Sequence, residues 1–180
     1  MKGIFFTVFL GMVESQYSAN MVDDIIEASN LASEGAYTCV GSYHHGELVT
    51  LIYNLSVLSG KSIPHILNQY GSYIFHELFR VDPQFFGSRK TAFDLLESFH
   101  IYVEVELMKL YPNERMPTFH TQRLSDKKMI FTYRSPHSFV AVIEGLLNSC
   151  FEYYKTPATI ILRDRSPRSG SHADFEITLQ

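Results

Sequence analysis

The stretch LLESFHIYVEVELMKLYP, Leu95–Pro112, carries an imidazole at His100 and, one helical turn later, a carboxylate at Glu104. Leu96, Phe99 and Val103 flank His100, so the ring belongs to a strongly apolar helix. Such an imidazole can ligate a metal, sit hydrogen-bonded and neutral in the core, or stand by without a role, and the core histidine is the ordinary case. A second group of interest is Tyr133-Arg134-Ser135, where a strand-like pattern passes into a helix-like one. Two hydroxyls beside the free amides of a helix N-terminus make a socket for an anion.

Together, an imidazole in an apolar slot and an anion socket are what a haem requires, the first for the iron and the second for the propionates. Other chemistry finds little support. The chain has no Gly-rich phosphate loop, no G-x-S-x-G elbow and no H-E-x-x-H pair. Tyr43-His44-His45 offers two neighbouring imidazoles, but adjacent residues on a helix point about 100° apart and grip one metal poorly. We read them as an exposed helix start. Cys39 and Cys150 are far apart and form no C-x-x-C pair, which fits a reducing compartment and small core thiols. Nothing in the chain reads as an enzyme.

These groups must be positioned by a mixed architecture. Lys2–Tyr17, Asn20–Ser29 and His44–Ser59 have helical spacing of apolar residues. Gly60 stops the third of these, and Ser62 caps a helix running to about Phe79, with Pro64 in its first turn. VDPQFFGSRKT breaks the pattern before the Leu95–Pro112 helix. After Pro112 the period changes to two. TFHTQRL and KKMIFTYRS read as strands, with Met129, Phe131 and Tyr133 on one face. A helix opens at Ser135 or Pro136 and runs to about Lys155. ATIILRDR and ADFEITLQ close the chain as two more strands around an SPRSGS hairpin loop. The expected fold is α+β in a single domain over 1–180. A helical N-terminal lobe (1–112) packs on an antiparallel sheet with β-β-α-β-β order (113–180).

The hydrophobic fraction of 46% allows a real core, and the net charge of −4 without a polybasic block argues against nucleic acid or membrane as a partner. No apolar run reaches the roughly 18 residues of a membrane span. The start MKGIFFTVFLGMVES lacks a small-x-small cleavage site and reads as a buried helix. A soluble, cytoplasmic protein is expected.

Nearly the whole chain resembles the haem-nitric oxide/oxygen binding (H-NOX, or HNOB) family. The resemblance rests on the MKGI start, the element order, YPNERMPTF and IEGLL, and on the family's Y-x-S-x-R motif, here Tyr133-Arg134-Ser135-Pro136-His137. It implies a haem whose propionates meet Tyr133 and Ser135, with His137 in the arginine's place, and Pro117 pressing on the macrocycle. For the iron ligand it implies two registers. Read forward through LLESFH, the ligand is His100; read back from Tyr133 and Pro117 without gaps, the position falls on Glu104. The two differ by one turn, roughly 6 Å along the axis, against an iron–nitrogen bond of about 2 Å. Val142 takes the place of the distal tyrosine of oxygen-binding relatives. The resemblance further implies NO or CO as ligand. It also implies a partner such as a histidine kinase or a cyclic-dinucleotide enzyme, in bacterial signalling. The alternative is a haem-free interaction module that keeps the fold.

Overall fold

A computed structural model describes residues 1–102, 117–166 and 171–180. Among the described residues six helices come before the sheet: α1 Gly3–Gln16, α2 Ala19–Glu27, α3 His45–Ser59, α4 Ile63–Val81, α5 Pro83–Gly87 and α6 Ala92–Tyr102. They are followed by β1 Thr118–Ser125, β2 Lys128–Ser135, α7 Val140–Tyr153, β3 Ala158–Asp164 and β4 Ser171–Leu179. The architecture is therefore a helical lobe and a four-stranded antiparallel sheet with a helix of its own, as the sequence pattern predicts.

Local chemistry sets the helix ends. Ser18 accepts the Met21 amide (3.0 Å) at the start of α2, and Ser62 accepts that of His65 (3.4 Å) at the start of α4. Gly60, at φ 69°, closes α3 in the left-handed region that suits glycine. Two boundaries differ from the sequence reading. Within VDPQFFGSRKT, Asp82 accepts the Phe85 amide (2.9 Å) and nucleates the one-turn α5. Then Thr91 and Asp94 form a reciprocal cap, each side chain accepting the other's amide at 3.1 Å. That box starts α6 at Ala92, three residues before Leu95. The rest of the predicted helix to Pro112 lies outside the described residues.

The sheet has strand order β1-β2-β4-β3, every neighbour antiparallel. Met129, Phe131 and Tyr133 alternate inward and are each at most 2% exposed. Phe131 lies opposite Phe175 across the β2–β4 ladder. Against this face pack α6 and α7, giving one core around Phe99, Phe131, Tyr133, Leu147 and Phe175. A second core lies among α1 to α4, around Phe6, Phe9, Leu51, Ile66 and Tyr70. Helix α7 joins the two: Val142 belongs to the helical core, Leu146 and Leu147 to the sheet core.

Candidate functional site

Helix α6 turns Leu95, Leu96, Phe99 and Tyr102 into the sheet core. Phe99 meets Phe119 of β1 edge-on at 5.0 Å, and Phe119 lies 5.7 Å from Tyr133 on β2. One aromatic ring thus separates the α6 stripe from Tyr133. His100 stands about 100° round the helix from Phe99 and is half-buried. Among the described residues no hydrogen bond, ion pair or ring contact engages it. Pro117 is half-buried immediately before β1; Glu104 lies outside the described residues.

Tyr133 is buried, and Ser135 lies two residues along the same strand face. Burial pushes the phenol up to about 12, and the serine opposes this only in part. The hydroxyl therefore stays a neutral donor at any physiological pH. Ser135 also accepts the His137 amide (3.1 Å). On the neighbouring strand the buried Ser171 donates to the His137 carbonyl (2.9 Å). Two serines thus pin the turn after β2.

That turn corrects the expected helix start. Strand β2 keeps its ladder to Ser135, paired with Ser171. Pro136 brings no amide, and α7 begins only at Val140, with no side-chain cap on Phe139. The amide nearest Ser135 is that of His137 and is already taken, so the polar corner is built from side-chain hydroxyls rather than from a helix N-terminus.

His137 turns its ring toward His45, 5.1 Å away, and His45 lies 4.9 Å from His44. The histidine pair is the exposed helix start that the sequence suggested: His44 is the N-cap of α3 and accepts the Gly46 amide (3.2 Å). Sequence reading missed its meeting with His137, because the pair was weighed along one helix only. Among the described residues no group of three His, Cys, Asp or Glu is arranged to hold a metal.

Val142 is buried in the first turns of α7 beside the helical core. Of the two tyrosines on the neighbouring helix, Tyr70 spends its hydroxyl on the Phe5 carbonyl (2.7 Å) and Tyr73 lays its hydroxyl over Gly11.

Burial of protonated groups gives the fold a pH limit. Tyr133, Tyr154 and Cys150 are each pushed up to about 12 by burial. The unfolded chain would release these protons near pH 10 for tyrosine and 9 for cysteine. The folded state holds protons that the unfolded state loses, so the contribution of these three groups is fully present well below pH 9 and falls as pH rises toward 12. The urea midpoint is expected to be lower at pH 11 than at pH 8; equal midpoints would contradict this.

A haem asks for one unengaged imidazole and polar donors for its carboxylates. His100 and the Tyr133–Ser135 pair meet both demands in kind. At the position to which the resemblance assigns an arginine this chain has His137, which offers no bidentate fork. The donor set fits the group with a reduced anchor.

Comparison with known proteins bears on this directly. The haem-NO-binding family model matches residues 2–162. No curated protein matches the chain significantly. Among solved structures, the Fe(II) unliganded H-NOX protein from K. algicida is 33% identical, covering 100% of this chain and 97% of that one, with a TM-score of 0.87. The IWP-051-bound H-NOX from Shewanella woodyi, in the Fe(II)CO state, is 35% identical over 99% and 94%, with a TM-score of 0.80. An H-NOX protein from S. oneidensis in the Fe(II)NO state shares the fold at 22% identity and a TM-score of 0.86, covering 100% and 99%. With the family model spanning most of its length, and the two lobes and polar corner in place, the chain belongs to the haem-NO-binding, or H-NOX, family.

Proposed function

We propose that this chain is a single two-lobed sensor domain that holds ferrous haem through His100, responds to NO or CO, and signals to a partner protein by a change of shape. The observation that carries this reading is the unengaged, half-buried imidazole of His100 on the helix that packs against the Tyr133 face. When bound, the haem would supply a ferrous centre for a diatomic gas. The chain's own residues would do the rest. His100 would hold the iron, Tyr133 and Ser135 would donate to the propionates, and Pro117 would press on the ring. The relatives from K. algicida and S. woodyi are ferrous proteins, the latter with CO bound. The reading includes a cytoplasmic location; among the described residues no helix is long and apolar enough to cross a membrane. Output would pass to a separate partner, a histidine kinase or a cyclic-dinucleotide enzyme.

Gas selection follows from Val142. Valine cannot donate a hydrogen bond, and Tyr70 spends its hydroxyl on the Phe5 carbonyl. Bound dioxygen is polar and depends on such a donor; NO and CO depend on it less. The reduced, haem-loaded protein is expected to form NO and CO complexes and to give no stable oxy spectrum in air. A persistent oxy spectrum would refute this selectivity.

One observation favours a second reading. The ungapped spacing from Tyr133 and Pro117 puts Glu104 at the ligand position. A lone carboxylate is a poor partner for ferrous iron, and with His137 in the arginine's place two haem contacts would be lost together. On that reading the domain is a haem-free module regulating its partner through surface contacts.

A further inference from the structure

Away from the Tyr133 corner, helices α4 and α7 and the start of β3 line an open groove of about 510 Å³. That volume is in the range of small-ligand sites, about 300–1,000 Å³. Its lining is mixed: Phe151, Pro157 and Ala158 give apolar surface, and polar groups come from Asn68 on α4, Asn148 and Glu152 on α7, and Lys155 just beyond. Ser149, buried, donates to Ser72 (2.7 Å) and fixes that wall. The side chains of Asn68, Asn148, Glu152 and Lys155 make no hydrogen bond or ion pair with any described residue. Glu152 and Lys155 stand three positions apart with opposite charge, yet do not pair with each other.

Lys155 occupies an unusual backbone position. Its φ is 51°, in the left-handed region. The Lys155 amide bonds to the Glu152 carbonyl and the Thr156 amide to that of Phe151, both at 3.0 Å. This is the helix-ending motif in which the left-handed residue is usually glycine. A lysine there carries a conformational cost that glycine avoids. The cost is borne at a position from which an ammonium lines the same groove as Glu152.

We propose that this groove binds a small zwitterion, an α-amino acid or dipeptide. The ligand's carboxylate meets Lys155, its ammonium meets Glu152, and its remaining polar atoms meet the carboxamides of Asn68 and Asn148. An ion of one sign would leave the like charge on the protein uncompensated, whereas a zwitterion satisfies both. The test is a titration of the full chain, followed through the side-chain amide resonances of Asn68 and Asn148. The probes are free α-amino acids and glycine-containing dipeptides at millimolar concentration, with acetate and methylamine as singly charged controls. Saturable shifts are expected with at least one zwitterion, and Kd should rise at least tenfold in both Lys155→Gly and Glu152→Gln. Lys155→Gly should melt no lower than the wild type, because glycine relieves the left-handed position. The proposal is overturned if no zwitterion saturates, if the controls bind as well, or if neither substitution weakens binding. A lower melting point for Lys155→Gly would remove the argument that the lysine is kept at a conformational cost.

Discussion

Gly145→Val is expected to cost the fold about 3 kcal/mol or more, at or beyond the upper end of ordinary overpacking. A Cβ on Gly145 would fall inside van der Waals contact with the Asn68 carbonyl of α4, and 2.9 Å from the Asn68 Cα. The crossing is reciprocal, since a Cβ on Gly71 of α4 would meet the Val142 carbonyl of α7 in the same way. The two helices therefore touch backbone to backbone, and no side-chain rotation can relieve the clash. They would have to separate at the point where α7 links the helical core to the sheet core, so apolar contacts on both sides would loosen. Gly87→Ala is the control, because nothing lies within 4 Å of a Cβ there. Urea unfolding is expected to show a large fall in midpoint for Gly145→Val and a small one for Gly87→Ala. A Gly145→Val loss under about 1 kcal/mol would mean that the helices can part cheaply.

Much of this arrangement was legible in the chain because it depends on periodicity. The inward row Met129, Phe131, Tyr133 follows from the two-residue period of a strand, and α3 and α4 follow from their apolar spacing and from Gly60 and Ser62. What escaped depended on interactions whose partners are set locally or far away. The start of α6 hinges on the Thr91–Asp94 cap, a signal weaker than the apolar run beginning at Leu95. The late start of α7 hinges on ladder pairing between Ser135 and Ser171, which lie 36 positions apart (171 − 135). The glycines of the α4–α7 crossing look ordinary until the helices are set against each other. The site divides in the same way. The hydroxyl pair of Tyr133 and Ser135 was readable as a strand face. The approach of His137 to His45 was not, because it joins residues from two lobes.

Removal of the His100 imidazole is the second large effect expected. On the proposed reading, His100 is the one protein nitrogen on the iron and alanine offers no substitute, while the Tyr133 and Ser135 hydroxyls alone would anchor propionates weakly. Loss of a mere outer-shell partner costs up to about 100-fold in metal affinity, so loss of the ligand itself should exceed that. In the other direction, His137→Arg would supply a bidentate fork near Ser135 and, on the proposed reading, should tighten haem retention.

Haem titration of the apo protein joins these expectations in one measurement, with the wild type set beside His100→Ala and Glu104→His. The result expected is a sharp Soret band in the wild type that disappears in His100→Ala. The result that would contradict ligation by His100 is no band in the wild type and a band gained in Glu104→His. That outcome would make the ungapped register the correct one and this chain an H-NOX domain that has given up its cofactor.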